Sequence, residues 1–310
     1  MKKVIFFLGA VLLFFGCKTG ADEDEVYLFT TFREPENKGL YLAYSEDGYH
    51  WNDLGGIYLP AGVGTHSIMR DPSVAKGSDG YYHMVWTTSW HSDHGIGYAK
   101  TRDFINWSEP LHLPVMAHEP DVVNLWAPEI FYDDVDDRFI VVWASTIPYR
   151  FPKGVEAEDN NHRLYYFTTK DFETLSETKL FLDPGFSIID AVIVKRDLED
   201  YVLVLKDNTR PERNISVAFG TSPLGPWGNY SEPLTEFLTE GPTVLQLGDD
   251  WLIYYDYYDN DSFSALKTKD FVSFTNISDQ ISLPEGHKHG TITTVSRSVL
   301  EGIKESGPLE

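Results

Sequence analysis

A three-part repeat restricts the fold of this chain more than any other feature of its sequence. Five segments share a short strand pattern, a polar turn and an apolar closing residue, and they end at Trp51, Trp107, Leu175, Trp227 and Phe274. Ahead of each segment is a run rich in aromatic and β-branched residues; these runs begin at Val26, Tyr81, Arg138, Tyr201 and Trp251. Runs of this kind between Gly, Asp and Asn residues indicate strands, and no stretch has sustained helical periodicity. The repeat predicts an all-β fold.

Four of the five units carry a third strand that opens with polar residues, in the motifs "RDPSV", "WAPEI", "IIDAVIV" and "EGPTVL". The acidic residue of each motif precedes the next hydrophobic run by 10 or 11 residues: Asp71 to Tyr81, Glu129 to Phe139, Asp190 to Tyr201 and Glu240 to Trp251. The first unit lacks such a strand, whereas the C-terminal segment "HGTITTVSRSVL" is a strand pattern without a partner. We expect this last strand to pair into the first unit and to close a ring without long exposed edges.

The predicted architecture is therefore a five-bladed β-propeller that forms a single catalytic domain over residues 26–310. A β-sandwich is the alternative, but it does not explain three strands repeated in a fixed order. The first strand of each propeller blade lines the axis, and all of these strands begin at one end. The residues that open them, together with the region of His289, should therefore meet in one pocket.

Several carboxylates in one pocket cannot all stay ionised, because like charges and burial raise the pKa of some of them and leave others low. Inverting hydrolysis of a glycosidic bond needs this difference: one protonated carboxyl assists the leaving group, and one carboxylate activates water. The convergence of acidic residues on one pocket thus indicates acid/base chemistry of this type.

The motifs "RDPSV", "NLWAPEI", "SIIDAVI" and "TEGPTVL", in this order, resemble those of glycoside hydrolase family 43, whose members are five-bladed propellers. The resemblance extends from Val26 to about Leu300. It implies that Asp71 is the general base, that Asp190 orients the substrate and raises the pKa of the acid, and that Glu240 is the general acid. Many members begin at the Asp-Pro blade, whereas a whole blade precedes it here, so the ring closure is shifted.

Other residues are expected to contact substrate. Tryptophans near the pocket can stack on sugar rings, and charged residues that interrupt the strand "YVLVLKDN" lie near its pocket end. For Glu129 we favour a structural or sugar-binding role over a catalytic one. The full set of predicted substrate contacts is Arg70, Trp90, Trp126, Glu129, Lys206, Asp207 and Arg297.

The resemblance also suggests that His289, on the closing strand, helps to bind an axial metal or ordered water, and that Arg297 on that strand touches substrate. We expect no cofactor to be required for the chemistry. A structural calcium ion in the acidic loops 133–137 and 256–261 is left open, although their spacing fits no EF-hand.

The N-terminus has the pattern of an export signal. Lys2 and Lys3 precede an apolar run that ends before Gly16 and Cys17, and this resembles a bacterial lipoprotein signal in which the cysteine is lipidated. Residues 1–17 are predicted to be the signal peptide and residues 18–25 an acidic linker. We expect an exported lipoprotein anchored to the outer membrane, on either its periplasmic or its cell-surface face.

The formal net charge of −23 argues against a nucleic-acid partner and leaves neutral glycans as the expected ligands. The leading hypothesis is an exo-acting, inverting α-L-arabinofuranosidase or β-xylosidase that acts on plant-type polysaccharide or its oligosaccharides. Galactofuranosidase or galactosidase activity stays open. A retaining, invertase-like propeller is an alternative, but its Asn-Asp-Pro-Asn motif is absent from the first unit. A surface glycan-binding propeller without catalysis is the other alternative.

Overall fold

The computed structural model of the protein describes residues 25–259 and 261–309. The predicted signal peptide, the lipidation of Cys17 and the predicted linker up to Asp24 lie outside these residues. No helix in the described part of the chain combines the length and the apolar character that crossing a membrane requires.

The strands of the described residues form five antiparallel sheets, each the blade of a propeller. The first blade contains β1 (Glu25–Thr31), β2 (Gly39–Ser45), β3 (Trp51–Asp53) and β4 (Leu59–Pro60). The second blade contains β5 (Arg70–Lys76), β6 (Tyr82–Thr87), β7 (Ile96–Thr101) and β8 (Leu111–Leu113). The third contains β9 (Trp126–Asp133), β10 (Arg138–Ser145), β11 (Arg163–Thr169) and β12 (Lys179–Leu182).

The fourth blade contains β13 (Ile188–Asp197), β14 (Asp200–Asp207) and β15 (Asn214–Gly220). The fifth contains β16 (Thr239–Leu247), β17 (Asp250–Tyr257), β18 (Ser262–Thr268) and β19 (Phe274–Asn276). The last strand, β20 (Thr291–Ser296), precedes an α-helix, α1 (Arg297–Ser306), and two short 3₁₀ turns cover Glu158–Asn160 and Ser278–Gln280.

The C-terminal strand closes the ring as the sequence predicts. β20 pairs antiparallel with β1, with Thr294 opposite Tyr27, and it is the innermost strand of the first blade. The innermost strands β5, β9, β13, β16 and β20 contact one another around the axis. The five-bladed β-propeller is thus confirmed.

The hydrophobic core lies between neighbouring blades, where the middle strands carry fully buried aromatic and aliphatic residues. Met84 and Trp86 of β6, for example, pack with Leu28 of β1 across the junction of the first two blades. These are the residues of the hydrophobic runs in the repeat, so the repeat pattern follows from burial on both faces of each blade.

The end of the closing strand differs from the prediction. The strand stops at Ser296, whose side-chain oxygen accepts a hydrogen bond from the backbone N–H of Val299 and so caps a helix. Leu300 and Ile303 are the buried residues of α1, and Gly307 follows it with a φ of 66°. The placement of Arg297 on the closing strand was therefore a wrong prediction, and the sequence analysis did not foresee this short helix.

A bulge recurs at the pocket end of the innermost strand in the second to fifth blades. At each bulge one residue adopts a left-handed conformation: Asp71 with φ 50°, Ala127 with 45°, Asp190 with 52° and Gly241 with 57°. Non-glycine residues rarely adopt this conformation, and where they do they often belong to functional sites. The bulges turn the first residues of these strands towards the axis before the regular ladder begins.

Candidate functional site

A cavity of about 290 Å³ opens on the axis at the end where the innermost strands begin. It brings together the three predicted catalytic residues from three different blades. The residues that line it are Phe32, Glu34, Arg70, Asp71, Thr87, Trp90, Trp126, Ala127, Ile189, Asp190, Glu240, Tyr258, Lys288 and His289. Its volume is near the lower end of the range for small-molecule sites.

Asp71 is held by two hydrogen-bonding partners. Its Oδ2 accepts a hydrogen bond from Thr87 Oγ1 at 2.7 Å, and its Oδ1 lies 2.9 Å from Nε2 of His289. Burial raises the pKa of Asp71, but the hydrogen bond and charge of His289, with smaller effects of Arg70 and Thr87, outweigh burial and lower it to about 2. Asp71 is therefore ionised at any physiological pH, as a general base must be.

His289 lies between the base and the other carboxylates. Its Nδ1 is 3.5 Å from Oδ2 of Asp256 and 4.0 Å from Oε1 of Glu240. Burial lowers the pKa of His289, but the carboxylates of Asp256 and Asp71 outweigh burial and raise it well above its usual range. A charged imidazole thus joins the two sides of the pocket.

Glu240 is ion-paired with a buried lysine. Nζ of Lys206, a residue only 2% exposed, donates to Oε2 of Glu240 at 2.7 Å. Burial raises the pKa of Glu240, but Lys206 and His289 outweigh it and lower the pKa below its usual value. Lys206 therefore contacts the carboxylate rather than lining the pocket wall.

Asp190 has the opposite shift. Its Oδ2 accepts a hydrogen bond from the backbone N–H of Gly241 at 3.0 Å. Burial raises the pKa of Asp190 to about 6, even though the positive charges of Lys206 and His289 act to lower it. Environments that push the pKa values of neighbouring carboxyls apart are typical of acid/base sites.

Aromatic residues and one arginine form the rim. The guanidinium of Arg70 lies 4.4 Å from the ring centroid of Phe32 and 4.2 Å from that of Trp90, and it pairs with Glu34. Nε1 of Trp126 donates to the carbonyl of Trp90 at 2.9 Å, which fixes the two tryptophans relative to each other. Trp90 is 41% exposed, so its ring is available to a sugar.

Tyr258 presents an unused hydroxyl. Its ring centroid lies 4.7 Å from Nζ of Lys206, and its buried Oη has no hydrogen-bond partner among the described residues. A buried polar atom of this kind costs stability unless a ligand or water satisfies it. Tyr258 is therefore a candidate hydrogen-bond partner for a sugar hydroxyl.

Four of the predicted substrate contacts do not line this cavity: Lys206, Glu129, Asp207 and Arg297. The last two lie away from the site. Asp207 accepts a hydrogen bond from the backbone N–H of Thr209 and does not line the cavity. Arg297 begins α1 and forms a salt bridge with Glu46 at 2.6 Å. Both corrections have a local cause, because Asp207 is bound to its own loop and the strand ends one residue before Arg297.

Sequence reasoning missed several residues of the pocket, namely Phe32, Glu34, Thr87, Ala127, Ile189, Tyr258 and Lys288. Thr87 ends the second strand of its blade and Tyr258 follows the second strand of another. The second strand of each blade runs antiparallel to the first, so it ends where the first begins. That rule would have placed both residues at the pocket.

Glu129 lies beneath the pocket rather than in its wall. It lines a smaller cavity of about 30 Å³ on the axis, together with Asp71, Asp190 and His289. The residue of β9 that is structurally equivalent to Asp71 is Ala127, because the bulge in β9 lies two residues before Glu129. Burial raises the pKa of Glu129 to about 8, against the hydrogen bonds of Ser73 and Thr291.

The buried Glu129 predicts an unusual pH dependence of stability. Its carboxyl keeps a proton in the folded chain up to about pH 8 but releases it near pH 4.5 when unfolded, so this group's stabilisation is complete below pH 4.5 and is lost as the pH rises to 8. Between pH 4 and pH 8 this group should lower the unfolding free energy of the unsubstituted chain by about 4 kcal/mol, and Glu129→Gln should lack this loss. Urea unfolding at both pH values measures this difference. Glu301→Gln on α1 is the control, and a parallel pH dependence of the Glu129 variant would contradict the assignment.

One group of described residues could offer ligands to a metal. Ligand atoms of Glu240, Asp256 and His289 all lie within 4.8 Å of one another, and Oδ1 of Asp256 is buried without a hydrogen-bond partner. Calcium prefers six to eight oxygen ligands, whereas this group supplies three side chains, one of them a nitrogen donor. Lys206 already forms an ion pair with the carboxylate of Glu240. The group does not fit calcium, and we derive no step through a metal.

Carboxylates of both acidic loops form ion pairs with basic side chains. Asp133 pairs with Arg138 at 3.1 Å, and Asp261 pairs with Lys288 at 2.5 Å. A structural calcium ion in these loops stays a prediction.

Residues 22–301 match the model of a protein family that is related to glycoside hydrolase family 43 and described as "Probable glycosyl hydrolase domain". The chain belongs to this family of glycosyl hydrolases. As a member it is an enzyme that hydrolyses O-glycosyl bonds, and its expected ligand is a carbohydrate. No protein of curated function matches it by sequence.

Solved glycosidases share the fold at low identity. A thermostable family-43 glycoside hydrolase is 15% identical, with a TM-score of 0.57 over 74% of this chain and 80% of that one. An α-L-arabinofuranosidase from Lactobacillus brevis is 20% identical, with a TM-score of 0.51 over 68% and 72%. An endo-1,4-β-xylanase from Bacteroides thetaiotaomicron is 16% identical, with a TM-score of 0.50 over 70% and 73%.

Proposed function

We propose that the protein is an inverting, exo-acting glycosidase that removes a terminal pentose, α-L-arabinofuranose or β-xylose, from a neutral plant-type polysaccharide or its oligosaccharides. The observation that carries the proposal is the convergence of an ionised Asp71 with Asp190 and Glu240 in one small axial pocket. A cavity of about 290 Å³ at the end of the axis favours the end of a chain over its interior.

The proposed reaction is a single displacement. Asp71 takes a proton from water as the water oxygen attacks the anomeric carbon, and Glu240 gives a proton to the leaving oxygen as the glycosidic bond breaks. Asp71 ends the reaction protonated and Glu240 ionised, and exchange with solvent restores both. Thr87 and His289 orient Asp71 through its two oxygens.

The acid is proposed to function as a pair. In the resting pocket Lys206 lowers the pKa of Glu240, while burial raises that of Asp190 to about 6, so Asp190 retains its proton to a higher pH than Glu240. We propose that a bound substrate draws this proton to Glu240, the member of the pair that reaches the leaving oxygen.

The proposed pair of Asp190 and Glu240 predicts how kcat/KM depends on pH. Loss of its proton removes the acid, so kcat/KM should fall above about pH 6, whereas Asp71 stays ionised between pH 4 and pH 6 and should give no acidic limb there. Rates on an aryl glycoside from pH 4 to pH 9 measure this. A limb on the acidic side near pH 5 would contradict the assignment of Asp71.

A screen of the chain from Asp22 onward against aryl α-L-arabinofuranoside, β-xyloside and β-galactofuranoside tests the proposed activity. Release from one substrate, lost in Asp71→Asn and Glu240→Gln, would support the glycosidase. Tight binding of an oligosaccharide with no release from any of the three substrates would contradict the proposed terminal sugars.

We also propose that the chain is exported and anchored in the outer membrane through a lipid on Cys17. The sequence pattern of residues 1–17 supports this. Cys17→Ser should move the protein from the membrane fraction to the soluble fraction, and an unchanged membrane fraction would contradict the anchor.

A further inference from the structure

The arrangement of the blades gives the direction in which the leaving group departs. This step rests on the proposed inverting reaction, in which water and leaving group lie on opposite faces of the sugar ring. Asp71, the proposed base, opens β5 in the second blade. In a ring of five blades, the position opposite the second blade is the junction of the fourth and fifth. The leaving group should therefore point to this junction, where Glu240 enters β16.

A fixed turn occupies that junction at the pocket end. The hydroxyls of Thr235 and Thr239 are hydrogen-bonded at 2.6 Å, and the Thr239 hydroxyl also donates to the carbonyl of Glu236 at 3.1 Å. The backbone N–H of Thr239 donates to the carbonyl of Arg213 at 3.1 Å, and Thr239 is fully buried. These bonds hold the turn against the loop that joins β14 to β15.

The turn holds a strained residue beside an exposed ring. Leu238 has a φ of 65°, a left-handed conformation that is unfavourable for a residue with a branched side chain. Phe237 precedes it and is 62% exposed. Only two residues separate Phe237 from Glu240, so the chain between them spans at most about 10 Å.

A single exposed apolar residue is common on protein surfaces and does not by itself indicate a binding site. The position of Phe237 therefore decides whether it belongs to one. Among the described residues, four large aromatic side chains are exposed: Trp90, Tyr149 and Phe237 belong to loops at the pocket end, and Tyr230 belongs to the connection between β15 and β16. Exposed aliphatic residues occur at both ends, with Val155 at the pocket end and Leu198 and Val272 at the other. Most of the exposed aromatic rings therefore lie at the pocket end, where a glycan would arrive.

We propose that Phe237 binds the leaving-group sugar, by stacking its ring on the apolar face of the sugar that follows the released pentose. Phe237 lies three residues before the proposed acid in the chain, at the blade junction opposite the proposed base. A neutral sugar with an apolar C–H face is the ligand that an uncharged aromatic ring fits.

Phe237→Ala and Phe237→Trp test this with two substrates of the same terminal sugar. One is an oligosaccharide with a sugar leaving group, and the other is the glycosyl fluoride, whose leaving group is a single atom. We expect Phe237→Ala to lower kcat/KM about tenfold on the oligosaccharide and to leave it unchanged on the fluoride. Phe237→Trp should keep the activity on both.

Leu198→Ala is the matched control, because Leu198 is also an exposed apolar residue but lies at the end of the propeller away from the pocket. It should change neither rate. An unchanged rate of Phe237→Ala on the oligosaccharide, or an equal loss on both substrates, would overturn the proposal. If the unsubstituted chain cleaves neither substrate, the proposed function itself fails and this inference falls with it.

Discussion

Asparagine in place of Asp71 should lower kcat by about 10²–10⁴-fold on every substrate that the chain hydrolyses. The amide cannot take a proton from the attacking water, although it can still accept the hydrogen bond of Thr87. The pocket keeps its shape in this variant, so KM should change much less than kcat. Initial rates over a range of substrate concentrations separate the two constants.

The control for this variant is Asp200→Asn. Asp200 is also ion-paired, with Arg196 at 2.6 Å, but it is the first residue of β14, at the other end of the blade. Its loss should leave kcat unchanged, because exposed ion pairs contribute little. If Asp71→Asn is folded by thermal unfolding and keeps kcat within tenfold, Asp71 is not the base.

Glutamine in place of Glu240 should have an effect that depends on the leaving group. On an oligosaccharide, kcat/KM should fall by about 10²–10⁴-fold, because the leaving oxygen then departs without a proton. On a dinitrophenyl glycoside, whose leaving group departs readily as an anion, the loss should be small. The glutamine oxygen can still accept the hydrogen bond of Lys206, so the surroundings of the side chain are retained.

Asp190→Asn is the matched comparison, because Asp190 belongs to the same carboxylate pair. It should lower the rates on both substrates by similar factors, since its proposed role is to orient the sugar and to tune the acid. If Asp190→Asn instead shows the dependence on the leaving group, and Glu240→Gln does not, the acid is Asp190.

The ring was predictable from sequence because a propeller repeats its pattern. Each blade buries both faces, so its middle strands are hydrophobic throughout, and the polar motifs that open the inner strands recur at nearly constant spacing. The C-terminal strand pattern had no partner in its own unit, and the first unit lacked an inner strand, so the two were predicted to pair. The pairing of β20 with β1 confirms this prediction.

Details that depend on single residues were not predictable. Glu129 was aligned with Asp71 by its distance from the next hydrophobic run, whereas the bulge in β9 puts Ala127, two residues earlier, at the position equivalent to Asp71. The helix α1 was missed although Ser296 and Gly307 are typical capping residues, because ten residues carry little periodicity.

The ionisation states of the pocket carboxylates could not be predicted from the sequence for another reason. Lys206 and His289 come from strands and loops that are distant along the chain from Glu240 and Asp71, and their contacts arise only when the ring closes. Acidic motifs alone could identify the carboxylates but could not show which of them is ionised.

The configuration of the first sugar released tests the central claim most directly. Proton NMR of the reaction, recorded before the product mutarotates, distinguishes the two anomers. The account predicts that the anomer opposite to that of the substrate appears first, because Asp71 activates water for a single displacement. A product that first appears with the substrate's configuration would contradict it, since retention requires a carboxylate nucleophile and a covalent intermediate.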